Sequence, residues 1–450
     1  MVLKRIAQAL AGLLLVVVVL LLVSRFWPAS DAQKQARAAL EAPVEWAGDN
    51  AWPLLATLDH DGLDTAARQA LVQTHVAEFA QWAQATAAQR HASLEGVSDA
   101  SDAPVLPAAA ALERPAYCRP GNIDGCLAHV RADTAAVSAD VAARAGLIER
   151  IAGLAAYQHA RSPYLPDVSS PLPDGLGRLF TPLAAHALSH VQGNSAQALD
   201  GLCRDMGSAR MLASRSDSLV VTMVGAGWLQ ANGQLLAAVM AELPSDQPLP
   251  AHCAAALQPL DAEAVSLCGP LRGEYALIAA GLGHTQAQTV ARLPAGSWYF
   301  DLDKTLNRQA ESLGSACLAP LQARIAQDLP LDGSLQAWRS LSLWHIECGT
   351  NYLGCVLSAI AAPAYDRYIA RMQDVAAGQR LLGAWLWLRQ QPAGAGMAEQ
   401  LAHLPAQWYS AQRPVMPSAD GKALEVARYE RSDQSDALPL RLSLPMTSAE

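Results

Sequence analysis

The chain begins with a continuous apolar segment. Residues 6–23 contain Gln8 as their only strongly polar side chain, and Lys4 and Arg5 precede them. These eighteen residues, at 1.5 Å each, extend about 27 Å, close to the roughly 30 Å hydrocarbon core of a bilayer. The pattern predicts a transmembrane helix with its positively charged end in the cytoplasm and Trp27 as an aromatic anchor at the opposite interface.

A cleaved signal peptide is the alternative interpretation of this segment. Ser30 and Ala32 supply the small residues that a cleavage site needs. The apolar run is longer than the usual length of about 7 to 15 residues, however, and Arg25, Phe26 and Trp27 interrupt the approach to the site. We therefore expect a membrane anchor and keep export with cleavage as the second possibility.

Apolar residues recur every three or four positions through most of the remaining chain, and this spacing predicts helices. In residues 64–91, for example, Leu71, His75, Phe79 and Trp82 fall on one helical face. Turn signals separate the later helices into hairpins, but no fixed repeat of about 34 residues is present. The expected fold class is all-α, with one transmembrane helix followed by irregular α-hairpins in a solenoid-like or bundle arrangement.

Loop composition divides the chain into four predicted regions. Four prolines in the stretch RSPYLPDVSSPLPDGLG interrupt the helical pattern, and Pro392 ends the last long helix. Beyond it, ALEVARYE and LPLRLSLP alternate apolar and polar residues, which predicts a short β-hairpin or an extended tail. The expected regions are a membrane anchor with a cytoplasmic N-terminus (1–30), an N-terminal helical region (31–162), a helical-hairpin region (163–391) and a C-terminal extended tail (392–450).

The charge balance argues against a nucleic-acid partner. Three of the 32 basic residues and none of the 41 acidic residues lie in the first thirty positions, so the remainder carries a net charge of −12. Such a surface repels phosphate backbones. We expect binding to the membrane through residues 6–23, a protein partner in the cell envelope, and no nucleic acid.

The eight cysteines all follow the anchor, and their spacing favours disulfides over a zinc site. Their number is even and no Cys-x-x-Cys pair occurs. Cys118 and Cys126 flank one turn-rich loop and Cys348 and Cys355 flank another, so we expect two local bridges. The sequence leaves three pairings open for the rest, with buried free thiols as the alternative. The remaining cysteines are Cys203, Cys253, Cys268 and Cys317.

Residues 299–306, YFDLDKTL, resemble the DxDxT-L motif of the haloacid-dehalogenase phosphatases over about eight positions. In that family the first aspartate attacks phosphorus, the second exchanges a proton with the leaving group, and Mg²⁺ offsets their charge. The resemblance thus implies a metal-dependent hydrolase that uses Asp301 and Asp303. Such a motif has to end a buried parallel strand, whereas Pro294 and Gly296 stand just before it.

A helix cap is the competing interpretation of the same residues. An acidic residue just before a helix that begins near Lys304 would accept hydrogen bonds from the free backbone N–H groups of its first turn. The surrounding sequence shows no βαβ alternation. We therefore expect Asp301 or Asp303 to cap a helix, and we expect no catalytic residue and no cofactor.

His186 and His190 stand four residues apart on a predicted helix, so both rings could face one metal ion. The pair lacks the glutamate of the His-Glu-x-x-His pattern and an evident third ligand. We expect two partly buried histidines that pack a hairpin, with a metal site as the alternative.

These observations predict a non-enzymatic, single-pass inner-membrane protein whose bulk is periplasmic. Four lysines against 28 arginines, with abundant alanine, are typical of a GC-rich Gram-negative source. The expected role is an interaction module, a scaffold or an inhibitor of another envelope protein. The alternative function is a phosphatase-like hydrolase using Asp301 and Asp303, and it requires a parallel strand that ends at Phe300.

Overall fold

The computed structural model describes residues 2–92, 103–107, 115, 117–292, 298–331, 345–361, 365–392, 396–430 and 439–444. Within these residues the structure confirms the all-α class, with one small antiparallel sheet near the C-terminus. The helices are α1 (Val2–Arg25), α2 (Asp31–Glu41), α3 (Trp52–Ala56), α4 (Thr65–Ala92), α5 (Cys126–Ala132), α6 (Thr134–Ala143), α7 (Ala145–Ala152), α8 (Pro182–Val191), α9 (Ser195–Ser214), α10 (Leu219–Ala241), α11 (Cys253–Leu257), α12 (Ala262–Val265), α13 (Cys268–Arg292), α14 (Leu302–Gly314), α15 (Ala319–Ala326), α16 (Tyr352–Ala361), α17 (Tyr365–Leu388) and α18 (Met397–Leu401). Short 3-10 segments are Gly153–Ala156, Asp174–Phe180, Ser315–Cys317, Ile346–Thr350 and Ala406–Trp408.

Side chains that accept from backbone N–H groups mark where several of these helices begin. Before α2, Ser30 Oγ accepts from the Gln33 N–H at 3.1 Å while Gln33 Oε1 accepts from the Ser30 N–H at 3.0 Å. This reciprocal arrangement satisfies two donors that a helix N-terminus otherwise leaves unpaired. It fixes the point where the chain turns from α1 into the helices that follow.

Helices α8, α9, α10 and α17 form the centre of the body. Helix α9 packs against both α8 and α10, and α10 packs on its other side against α17. Trp228 of α10 and Trp385 of α17 are almost completely buried there. A single hydrophobic cluster extends from Ala36 of α2 to Val426 near the C-terminus. This one cluster includes residues on both sides of the predicted boundary between regions 31–162 and 163–391. The boundary itself stays a prediction.

Four disulfides join parts of this body. The structure pairs Cys118 with Cys126 and Cys348 with Cys355, the two local bridges expected from the sequence. The four cysteines whose pairing was open form two bridges of longer reach. These bridges are Cys203–Cys253, which links α9 to α11, and Cys268–Cys317, which links α13 to the 3-10 segment after α14.

The C-terminal region contains the predicted β-hairpin. Strand β1 (Met416–Pro417) pairs with β2 (Ala423–Val426), and β2 pairs with β3 (Leu440–Ser443), in both cases antiparallel. The β2–β3 register sets Ala423 opposite Ser443 and Val426 opposite Leu440. Leu424 is fully buried because β2 packs on α17.

A buried arginine fastens this region to the body. Arg413 is 2% exposed and forms ion pairs with Asp328, which follows α15, and with Asp374 of α17, at 2.6 Å for the latter. Its guanidinium also lies 3.8 Å from the centre of the Tyr429 ring, and Arg380 provides a second cation beside Asp328. Two cations thus balance two anions, as burial of charge requires. The described residues of the C-terminal region therefore form a cover on α17.

Candidate functional site

Helix α1 is the one helix among the described residues that is long and apolar enough to cross a membrane, and the body covers none of its apolar stretch. Signal sequences share these properties, so length and composition alone do not separate an anchor from a leader. The contacts of its last turn carry more information.

The C-terminal end of α1 is hydrogen-bonded into the body. Ser24 is 1% exposed, and its Oγ accepts from the Thr350 N–H at 2.9 Å and lies 3.1 Å from Thr350 Oγ1. A β-carbon at Gly349 would lie 2.9 Å from Ser24 Oγ, which is too close for any other residue without a shift. The helix end and the 3-10 segment Ile346–Thr350 are therefore closely fitted.

The YFDLDKTL motif supplies the other half of this contact. Asp301 accepts from the Lys304 N–H at 3.2 Å as the N-cap of α14, and it forms an ion pair with Arg25. Lys304 Nζ donates to the backbone oxygens of Ser24 and Arg25, the latter at 2.9 Å. A cation at these carbonyls complements the negative end of the α1 dipole. We call Ser24, Arg25, Asp301, Lys304 and Thr350 the anchor socket.

Burial affects the charged groups of the anchor socket. It lowers the pKa of Lys304, although the neighbouring Asp301 carboxylate opposes that shift. Below the anchor socket, Arg308 of α14 and Glu347 form a buried ion pair. The Nε and Nη2 of Arg308 have no hydrogen-bond partner among the described residues. This pair fixes the 3-10 segment that holds Ser24 against α14.

The structure gives the two motif aspartates different surroundings. The capping prediction is confirmed for Asp301, whereas the Asp303 side chain is 82% exposed and lies 3.3 Å from Arg37 of α2. Residues 298–300 form a turn and not a strand, and residues 293–297 lie outside the described part of the chain. No described strand ends at Phe300, and each carboxylate contacts an arginine. The described residues thus offer no observation that favours the hydrolase alternative.

The two helix α8 histidines contact different acidic residues. His186 Nε2 lies 2.8 Å from Asp205 of α9, and His190 Nε2 lies 2.8 Å from Glu242 while its Nδ1 lies 2.9 Å from Ser195 Oγ. Both histidines are buried. These contacts join α8 to its neighbours, and no third ligand atom among the described residues lies close to both rings.

Among the described residues, one group of ligand-type atoms lies within 4.8 Å of one another, and it consists of Glu347, Cys348 and Cys355. Its two cysteines are joined to each other in a disulfide, so no thiolate remains to bind an ion. The described part of the chain provides no further ligand residues that would complete a metal centre at this place.

A cleft of about 520 Å³ opens on the body beyond α2. Its exposed rim is mostly apolar: Val168 is 71% exposed, Leu172 47% and Val220 43%, and Arg161 is an exposed charged residue of the same rim. The sequence analysis did not identify this site, although the proline-rich segment that forms one wall was noted as a break. The cleft is lined by side chains from residues 42–46, 52, 161–172, 217–220 and 269–277.

Two carboxylates lie in the wall of the cleft at the N-terminus of α10. Asp217 accepts from the Ser162 N–H at 3.0 and 3.2 Å, and Glu274 accepts from the Leu219 N–H. Burial raises the pKa of both carboxyl groups above their usual range, and these backbone hydrogen bonds only partly oppose it. A β-carbon at Gly273 would lie 1.9 Å from the Asp217 carbonyl oxygen, so glycine is what permits α13 to close this wall.

Helix α2 connects the anchor socket with the cleft. Arg37 reaches Asp303 near the socket, and the Ala39 carbonyl accepts from Arg272 Nε of the cleft wall at 2.9 Å. The helix has 11 residues, which corresponds to a length of about 16 Å. The cleft consequently lies one short helix away from the end of α1.

The chain matches no protein-family model, no curated protein and no solved structure. The candidate site therefore rests on its own geometry.

Proposed function

We propose that the protein is a single-pass inner-membrane protein that acts as an interaction module, with a periplasmic body whose cleft receives an apolar segment of another envelope protein. The observation that carries the proposal is the anchor socket, because it joins α1 to the body without a flexible linker. The body and its cleft are thereby held close to the membrane surface.

The socket contacts favour a retained anchor over a removed leader. Ser24 and Arg25 bond to residues near positions 301 and 350, and cleavage after residue 30 or 32 would leave those partners without them. Removal would expose the Asp301 carboxylate and the Lys304 ammonium without their α1 partners. The four disulfides are consistent with an oxidising compartment outside the cytoplasm.

The apolar rim of the cleft suits an apolar peptide segment. Full burial of a Val or Leu side chain contributes about 1.5 to 3 kcal/mol, and the rim residues are still 43% to 71% exposed, so each would contribute about 1 to 2 kcal/mol. Such a contact is weak in free solution. Confinement of both partners to one membrane raises their effective concentration and makes weak contacts sufficient.

Photo-crosslinking in intact envelopes tests this role. A photoreactive residue replaces Val168 or Val220 at the cleft rim, and Met416, 55% exposed on β1, carries the same residue as the matched control. We expect one common adduct from the two cleft positions and none from the control. Its loss with Leu172→Asp would show that the apolar rim holds the partner. The same adduct from Met416, or no adduct from either cleft position, would count against the proposal.

Topology is tested separately by reporters fused after residue 45. We expect periplasmic activity, and the full-length chain should remain in the membrane fraction with an uncleaved N-terminus. A cytoplasmic signal would overturn the proposed location, and a mature chain that begins near residue 31 would show that α1 is a leader.

A further inference from the structure

Exposed aromatic side chains follow the end of α1. Phe26 is 79% exposed and Trp27 is 40% exposed. The Trp27 ring meets His345 edge-on, with 6.1 Å between the ring centres, so the body fixes its position. Both residues come directly after Arg25 of the anchor socket.

Three further aromatic residues of the body reach the surface beside the same socket. Trp298 and Tyr299, which precede Asp301, are 41% and 55% exposed, and Tyr352 at the start of α16 is 57% exposed. The Leu353 N–H donates to the Tyr299 carbonyl at 3.0 Å, which places these residues side by side. We call Phe26, Trp27, Trp298, Tyr299 and Tyr352 the aromatic collar.

Helix α16 extends this apolar surface. It has no charged residue, and Tyr352, Val356 and Ile360 follow one another at four-residue spacing on one face. Ile360 is 73% exposed and Val356 is half-buried. The hydroxyl of Ser358 is buried and donates to the helix's own backbone at Gly354. The exposed stripe runs for about 12 Å, and the hydroxyl of Tyr352 is the only polar side-chain group among its three residues.

The position of this surface follows from the anchor. Asp301 forms an ion pair with Arg25 at the end of α1. Tyr299 stands two residues before Asp301, so the Cα atoms of Tyr299 and Asp301 are no more than about 8 Å apart. The polar layer on each side of the hydrocarbon core is about 5 to 8 Å deep. A surface this close to the end of a membrane-spanning helix meets lipid headgroups before it meets any other partner.

We propose that the aromatic collar and the exposed stripe of α16 form a second membrane contact, seated in the headgroup region of the leaflet where α1 emerges. Tyrosine and tryptophan favour this region because one end of each ring system is apolar and the other polar. The inference rests on the proposed membrane anchoring by α1. A single helix leaves the body free to tilt, whereas two contacts fix its orientation and the direction in which the cleft opens.

Depth-dependent quenching in nanodiscs tests this contact on the full-length chain. The discs contain phosphatidylethanolamine and phosphatidylglycerol with a lipid that is spin-labelled near its headgroup or, in a second set of discs, deep in its acyl chain. An environment-sensitive fluorophore is attached to one introduced cysteine. Every described native cysteine is in a disulfide and does not compete for the label. The probe positions are Tyr352→Cys for the collar, Leu14→Cys for α1 and Tyr409→Cys for a tyrosine that is 55% exposed but lies in the C-terminal region.

We expect the headgroup label to quench the probe at Tyr352, the acyl-chain label to quench the probe at Leu14, and neither label to quench the probe at Tyr409. If the Leu14 probe is quenched but the Tyr352 probe, like the Tyr409 probe, is not, this inference is overturned and the anchoring proposal stays intact. A Leu14 probe that is not quenched would overturn the anchoring itself. The fluorophore at Tyr352 could instead show a blue-shifted emission without quenching, and only at a high ratio of protein to discs. That result would mean that a second copy of the protein covers this surface, and it would also overturn the lipid contact.

A second variant pair measures what the collar contributes. With the probe at Ile360→Cys, the double change Tyr299→Ser and Tyr352→Ser should lower quenching at least about twofold, because two interfacial anchors are removed. Tyr409→Ser should leave it unchanged. The three tyrosines are exposed, so folding is preserved in all these variants. Equal quenching in both variants would mean that the collar does not hold the body on the membrane.

Discussion

The two aspartates of the YFDLDKTL motif allow one experiment to separate a structural role from a catalytic one. Asp301 caps α14 and pairs with Arg25, with 17% of its side chain exposed, whereas the Asp303 side chain is 82% exposed and pairs only with Arg37. A phosphatase mechanism would need both carboxylates. The structure assigns a substantial role only to the first.

The expected magnitudes follow from these contacts. Asp301→Ala removes an N-cap, at about 0.5 to 2 kcal/mol, and a partly exposed ion pair, at about 0.2 to 1 kcal/mol, so the sum is about 1 to 3 kcal/mol. Asp301→Asn keeps the cap and loses only the charge pair, at about 0.2 to 1 kcal/mol. Asp303→Ala loses one exposed pair and should change stability by less than about 0.5 kcal/mol.

Hydrogen exchange on the full-length chain in nanodiscs reads out these differences at the site itself. In the first turn of α14 and in residues 346–350, Asp301→Ala should raise the opening constant by about 5- to 150-fold. Asp303→Ala should leave it nearly unchanged and serves as the matched control. Equal effects of the two alanine variants would refute the assigned contacts.

An activity assay on the same proteins addresses the catalytic alternative. We expect no Mg²⁺-dependent hydrolysis of a generic phosphoester by the wild-type chain, and hence no difference for Asp301→Asn or Asp303→Asn. An aspartyl nucleophile cannot be replaced by an amide without a loss of orders of magnitude. Clear wild-type turnover that both asparagine variants abolish would establish the hydrolase in place of the capping role.

Three further predictions concern the body. Arg413→Met should destabilise the C-terminal region by about 3 to 5 kcal/mol, since it leaves the buried Asp374 carboxylate without its cation and leaves Asp328 with Arg380 alone. Arg441→Ala, in a half-exposed pair, should cost less than about 1 kcal/mol, and hydrogen exchange of residues 396–430 measures both changes. Burial raises the pKa of Glu274, so the folded state holds this proton more tightly than the unfolded state does. The resulting stabilisation is fully present below pH of about 4.3, the ordinary glutamate pKa, and is lost as the pH rises through the folded-state pKa. Thermal melts over this pH range should show a smaller loss of stability for Glu274→Gln than for wild type. Joint replacement of Cys203 and Cys253 by serine removes a disulfide of sequence separation 50 and should lower the free energy of unfolding by about 4 kcal/mol through chain entropy. Denaturant unfolding measures this loss, and an unchanged midpoint would argue against the pairing.

The sequence predicted features that depend on near neighbours. Helix α1 follows from an uninterrupted apolar run, and the cap at Asp301 follows from an acidic residue at a helix start. The sequence left Asp301 and Asp303 as equal candidates for that cap, because only the backbone geometry at position 301 decides which carboxylate reaches the Lys304 N–H. The bridge between Cys118 and Cys126 was predictable because few residues separate them.

Contacts between distant segments could not be predicted in this way. Arg413 reads as an ordinary surface cation in a polar tail, and it is buried only because Asp328 and Asp374 from other elements neutralise it. The cleft likewise requires α13 to approach residue 217 at Gly273, and no local pattern reveals that approach. The anchor socket was missed for the same reason, since its halves are separated by more than 270 residues.

That separation has a consequence for the order of assembly. Ser24 is made early, but its partner Thr350 lies 326 residues later. At about 5 to 20 residues per second, synthesis alone imposes a delay of roughly 15 to 65 s between the two. Under the proposed anchoring, α1 is during this interval a membrane helix with an emerging, still incomplete chain attached to it. In that case the first segment to enter the bilayer is among the last to complete its native contacts, because a chain that stops before residue 350 lacks the Thr350 part of the anchor socket.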